Sequence, residues 1–95
     1  MLKHVVCFKM QDEASAQEAV NVLKSMQGKV PMLQGIEVGL DILKSARSYD
    51  VYLGVLLKDK AALDAYQKDA YHCDVVKTFM HAHTVSSIAV DFIVE

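Results

Sequence analysis

Val51-Tyr52-Leu53-Gly54-Val55-Leu56-Leu57 is the stretch on which the fold turns, because it is apolar on both of the faces that a two-residue strand period creates. Val51, Leu53, Val55 and Leu57 point one way, and Tyr52 and Leu56 point the other. A strand of this kind belongs in a sheet that is covered on both sides. Upstream, Leu2 to Met10 carries the same period, with Leu2, His4, Val6, Phe8 and Met10 on one face and Lys3, Val5, Cys7 and Lys9 on the other. A further strand alternates through Ile36, Val38, Leu40 and Ile42. The last runs from about Val85 to Val94, with Ile88, Val90, Phe92 and Val94 on one side.

Between the strands the period changes to that of helices. Asp12-Glu13, then Ser15 with Glu18 three residues on, signal a helix start, and Ala16, Ala19, Val20, Leu23 and Met26 recur at helical spacing over roughly Ala14 to Gln27. Gly28 suits its end, and Pro31 blocks continuation. Asp59 can cap a second helix holding Ala62, Leu63 and Tyr66, and after an interruption near Asp69-Ala70 another helical turn or two carries Val75, Val76, Phe79 and Met80. The order is strand, helix, strand, strand, helix, strand. That order predicts an α+β, ferredoxin-like βαββαβ antiparallel sheet with helices on one face.

The 95 residues suffice for one domain spanning 1–95 and one core. Two short helices cover one side of the sheet only, so the apolar residues of the other side predict a second copy of the chain packed sheet against sheet, a C2 homodimer. With 10 basic against 12 acidic side chains the chain has no basic field for phosphates, so nucleic acid and anionic membranes are not expected partners. No apolar run approaches the roughly 18 residues of a membrane span, and no cleavable leader is evident, which makes a cytoplasmic location the expectation. Cys7 and Cys73 read as reduced thiols rather than a disulfide framework, with Cys7 a small hydrophobe in the sheet.

Lys3-His4-Val5-Val6 with Phe8-Lys9, Gly35-Ile36 with Gly39, Tyr49-Asp50, Tyr66 with His72, and Asp91 occur in an order that resembles the stress-responsive α/β-barrel (Dabb) family of the dimeric α+β barrel superfamily. The resemblance runs from Leu2 to Asp91. It implies a ferredoxin-like protomer and a homodimer whose two sheets form a dimeric α/β barrel. Members similar to polyketide cyclases close a ring by an intramolecular aldol-type reaction without a cofactor, using a tyrosine and a histidine six residues later, which match Tyr66 and His72. The segment before the histidine usually reads His-Pro-x-His, whereas this chain has Asp69-Ala70-Tyr71-His72.

The chemistry of the residues themselves is compatible with those roles. An imidazole with an ordinary pKa near 6.5 can remove a proton near neutral pH, which makes His72 a candidate general base. Tyr66 can donate a hydrogen bond to a carbonyl oxygen that becomes an enolate. His4, among apolar neighbours on strand one, needs a polar partner and can position a substrate, with Val6, Phe8, Val51 and Leu53 as the apolar lining of a substrate site. Asp69 either orients His72 or ends a helix in solvent, and solvent is the expectation. His81-x-His83 would put two imidazoles on one face if extended, but two ligands do not make a metal site, and an exposed loop pair is expected. No glycine-rich phosphate loop, GxSxG elbow or HExxH occurs, so no cofactor and no metal are expected. Two functions follow: a cofactor-free lyase or cyclase acting on a small, largely apolar carbonyl compound, or a non-catalytic, stress-related ligand-binding or structural protein.

Overall fold

A computed structural model describes all residues from Met1 to Glu95. Four strands, β1 (Leu2–Met10), β2 (Gly35–Leu40), β3 (Val51–Leu57) and β4 (Thr84–Ile93), form one antiparallel sheet in the order β2-β3-β1-β4. The two strands with apolar residues on both faces are thus the two central ones. Helix α1 (Glu13–Lys24) and helix α2 (Lys60–Lys68) pack on one face of the sheet, followed by a π-helical segment (His72–Lys77) that runs directly into α3 (Thr78–His83). This is the ferredoxin-like βαββαβ arrangement, with the second helical region in three pieces. No helix is long and apolar enough to cross a membrane.

Local chemistry explains where the elements begin and end. Asp12 caps α1, its carboxylate accepting from the Ser15 backbone N–H at 2.7 Å, and Asp59 caps α2 by accepting from the Ala62 N–H at 2.9 Å. Helix α1 stops at Lys24, earlier than the expected Gln27. The Ser25 hydroxyl turns back onto the Val22 carbonyl at 2.5 Å, and the next amides bond three residues back, from Met26 to Leu23 and from Gln27 to Lys24. β2 ends at Leu40 rather than Ile42, because Asp41 accepts from the Lys44 N–H in a turn where Lys44 takes φ 57°. Ile42 consequently lies almost wholly in solvent.

The core sits between the helices and the sheet. It is built from the β3 row Val51, Leu53, Val55 and Leu57 with Ala16, Ala19, Leu23 and Met26 of the α1 region, Tyr66, Val76 and Met80. Strand register fixes what faces the helices: His4 lies opposite Val55 and Asp91, Val6 opposite Leu53 and Ala89, and Phe8 opposite Val51 and Ser87. The alternate residues make up the open face, where Val5 lies opposite Gly54 and Val90, Cys7 opposite Tyr52 and Ile88, and Lys3 opposite Leu56 and Phe92. In the single chain Ile88, Val90 and Phe92 are 45 to 58% exposed, a continuous apolar row without cover.

Candidate active site

A cavity of about 320 Å³ lies between the helix-facing side of β1 and β4 and the helical run that follows α2. Its floor is buried and holds His4, Leu53, Tyr66, His72, Val76 and Met80. Its rim is more exposed and includes Gln67, Lys77 and His81 from the helices and Ser87 and Ala89 from β4. Helices α1 and α2 pack mainly on β1, β2 and β3, and the cavity opens beside them, between β4 and the helical run that follows. Small side chains at Ser87 and Ala89 widen it further.

Three rings meet at the floor. The imidazole of His72 stacks on the Tyr66 ring with centroids 4.1 Å apart and planes inclined by 21°. His4 approaches the same tyrosine edge-on at 5.9 Å. Within His72, Nδ1 lies 2.9 Å from the Tyr66 carbonyl oxygen, and since a carbonyl only accepts, Nδ1 carries the hydrogen. The neutral ring therefore keeps its lone pair on Nε2. Burial pulls the His72 pKa below its ordinary value, the hydrogen bond to the Tyr66 carbonyl opposes this, and the Lys77 charge adds to the lowering. The result is an unprotonated imidazole at neutral pH.

Asp69 behaves differently from the solvent-facing helix end expected of it. Its carboxylate accepts from the His72 backbone N–H at 3.0 Å, and its own carbonyl accepts from the Cys73 N–H at 2.9 Å. It therefore caps the helical run that begins at Ala70 and turns π-helical at His72, and holds the His72 backbone in place, in a chain that lacks the usual proline at position 70. The Tyr66 side chain is 1% exposed, and burial, with the nearby Asp69 charge, pushes its phenol well above the ordinary value, so it is a neutral donor. Its hydroxyl points at Met26 Sδ, 3.8 Å away. A thioether is a weak acceptor, so this donor is only loosely engaged.

His4 Nδ1 is hydrogen-bonded to the Asp91 carboxylate, which accepts from the ring and leaves Nε2 unprotonated in the neutral form. Asp91 was among the residues that carry the family resemblance, yet sequence reasoning gave it no role. The signal was available: Ile88, Val90 and Phe92 put Asp91 on the opposite, helix-facing side of β4, where a carboxylate needs a partner.

The remaining sequence-derived candidates separate. Val6, Phe8 and Leu53 line the cavity with His4, Tyr66 and His72, whereas Val51 is buried in the core and borders a different depression with Tyr49 and Tyr52. His81 and His83 do not form an extended loop pair. They close the last turn of α3, where a separation of two residues turns them to different sides. His81 reaches the cavity rim, and His83 packs on Phe79 at 4.3 Å with Nδ1 3.2 Å from Ser15 Oγ. Neither joins a cluster of three metal-ligating side chains. Cys7 and Cys73 are free and half-buried.

Known proteins with this architecture are numerous. Residues 2–94 match the family described as the stress responsive A/B barrel domain. No curated protein sequence matches the chain. Among solved structures, a dimeric ferredoxin-like protein of unknown function from Thermobifida fusca is similar with a TM-score of 0.83 at 20% identity, covering 98% of this chain and 90% of its own. A Dabb family protein from Mesorhizobium loti has a TM-score of 0.82 at 14% identity, covering 99% and 96%. The hydroxynitrile lyase from Passiflora edulis has a TM-score of 0.80 at 12% identity, covering 99% and 93%. At these identities the likeness is one of fold.

Proposed function

The chain belongs to the stress responsive A/B barrel domain family, and from that premise we propose that it is a cofactor-free acid–base catalyst, a lyase or cyclase acting on a small, largely apolar carbonyl compound held in the His4–Tyr66–His72 cavity. The observation that carries the reading is the state of His72: buried, neutral, fixed through Nδ1 and left with a free lone pair on Nε2 at the floor of a cavity large enough for an organic ligand. In this reading Nε2 removes the proton α to the carbonyl. The Tyr66 hydroxyl gives up its thioether partner to donate to the enolate oxygen, and His4, oriented by Asp91, positions a second polar group of the substrate. The enolate carbon then attacks a second carbonyl carbon of the same molecule, whose π electrons pass to its oxygen and take the proton from His72, or the enolate carbon is itself reprotonated by His72, so the proton balance closes without a cofactor. That one protein of this fold is a hydroxynitrile lyase supports acid–base work at a carbonyl carbon as chemistry the fold can host.

The test is α-proton exchange of 2-acetylnaphthalene in deuterated buffer, read as loss of its methyl proton signal. The full chain is expected to accelerate exchange, and His72→Gln to lower that acceleration by about 10² to 10⁴. The Tyr66 hydroxyl on Met26 rather than in open cavity favours a second reading, a ligand-binding protein without turnover. Saturable binding of the ketone with no exchange would select it.

We further infer that the chain functions as a two-fold homodimer joined through the open sheet face. Support comes from the uncovered row Ile88, Val90 and Phe92, flanked by Val5, Tyr52 and Leu56, and from the dimeric assembly described for the Thermobifida fusca protein. Sedimentation is expected to give twice the 10.5 kDa chain mass at micromolar concentration, and a monomer there would refute the assembly.

A further inference from the structure

The cavity has an electrical polarity that the acid–base reading leaves unused. None of its 15 lining residues is an aspartate or glutamate, and a single one, Lys77, is a permanent cation. Lys77 is half-buried at the rim and takes part in none of the four ion pairs of the chain. Its ammonium donates to the Gln67 carbonyl at 3.3 Å, at the C-terminal end of α2, and an ammonium has three donors. Donors of the ammonium beyond that bond are open to a group in the cavity mouth.

The π-helical turn is what brings this charge to the cavity. His72 and Lys77 are five residues apart, a separation that a π-helix places one above the other and an α-helix would turn to different sides. Lys77 therefore stands one turn above the candidate base. Its charge adds to burial, the larger cause, in lowering the pKa of His72. Val6, Phe8 and Val76 give the same cavity an apolar lining.

We propose that the ligand of this cavity is an organic carboxylate, its acid group held at the rim by Lys77 and its apolar body laid against Val6, Phe8 and Val76 toward His72. The inference rests on the reading of the cavity as a ligand site. A carboxylate fits better than a phosphate, because one ammonium balances one negative charge and the neighbouring rim groups, Gln67, His81 and Thr84, offer side-chain hydrogen bonds but no second permanent cation. The arrangement also orients the ligand: the charged end stays in the wet rim, and the carbonyl end reaches the floor.

Paired probes test it. 2-Naphthoate and its neutral isostere 2-naphthamide are titrated against the full chain, with affinity read from probe fluorescence and location from NMR shifts at Tyr66 and His72. The naphthoate is expected to bind about tenfold more tightly than the amide, the scale of one hydrogen bond to a charged group. Lys77→Met is expected to erase that preference, with the probe-induced shifts at Tyr66 and His72 retained as the report of an intact cavity, and Lys77→Arg to keep it. Equal affinity of both probes in the cavity overturns the carboxylate preference and leaves the ligand site standing. A preference that survives Lys77→Met overturns the role of Lys77. Failure of both probes to shift Tyr66 and His72 overturns the proposal together with the reading of the cavity.

Discussion

The His72 imidazole donates through Nδ1 to the backbone carbonyl of Tyr66 at 2.9 Å and at the same time stacks on the ring of that residue at 4.1 Å. Both constraints come from one residue six positions earlier. The turn between α2 and the π-helical segment thus folds His72 back over Tyr66. Its hydrogen-bond partners are local in sequence, whereas that of the His4 ring is a carboxylate 87 residues away. The two imidazoles of the cavity thus take their hydrogen bonds from different parts of the chain and meet on the ring of Tyr66.

The local burial of His72 makes stability depend on pH. Its folded pKa is lowered from the ordinary 6.5, so between those two values the unfolded chain binds a proton that the folded chain does not. Stability is then full above pH 6.5 and falls as pH drops through 6.5 toward the lowered value, a positive slope of unfolding free energy with pH. Urea unfolding at about pH 7.5 and about pH 5 is expected to show the loss in the natural chain and a smaller one in His72→Gln. An identical pH dependence in the two would mean that His72 is not buried neutral.

Asp91 fixes the ring of His4 across the β1–β4 pairing, and a carboxylate–imidazole hydrogen bond contributes about 1.5 to 3 kcal/mol. If His4 positions the substrate, Asp91→Asn is expected to slow α-proton exchange by about ten- to a hundredfold. The same variant is expected to leave the His72-dependent pH slope of stability untouched. A rate equal to that of the natural chain would reduce the pair to a structural contact.

Much of this was legible in the sequence, and the parts that were not have definite reasons. Strand faces follow from a two-residue period, so the sequence alone puts His4, Val6 and Phe8 on the helix side and shows the uncovered row of β4 as Ile88, Val90 and Phe92. Asp69 was misjudged because a carboxylate at a helix end is usually solvated. Its role depends on capping a segment whose π-helical winding has no recognisable sequence pattern. The same winding hid Lys77, which α-helical spacing would have turned away from His72. His81 and His83 are expected as an exposed loop pair because nothing in the sequence marks α3 as continuing to the start of β4.

Val90 sits at the middle of the open face, paired with Val5 and 58% exposed in the single chain. Val90→Asp is expected to leave the protomer folded, since the position makes little of the core, but to place a charge in the sheet-to-sheet interface. Sedimentation equilibrium should show the dissociation constant raised by at least about tenfold, with circular dichroism unchanged. A stable dimer in this variant would move the interface elsewhere.

Gly54 tests the same face by shape instead of charge. It lies between Val5 and Glu37 on the open side, and the Tyr52 side chain extends over it. A Cβ at this position would stand 2.5 Å from Tyr52 Oη, 3.1 Å from its Cζ and 3.2 Å from Lys3 Cε, so the tyrosine must lift away from the sheet. In the isolated protomer this costs little, because the displaced atoms are at the free end of a side chain. Loss of glycine also reduces unfolded-state entropy by an amount worth about 0.4 to 1 kcal/mol where the new residue is unstrained. Two flat sheets packed on each other have no room for a raised tyrosine. Gly54→Ala is therefore expected to change the melting temperature by only a few degrees while weakening the dimer by about tenfold, and Gly54→Ala with Tyr52→Ala to recover part of the loss by removing the obstruction. If Gly54→Ala dimerises as well as the natural chain, Tyr52 is not at the interface.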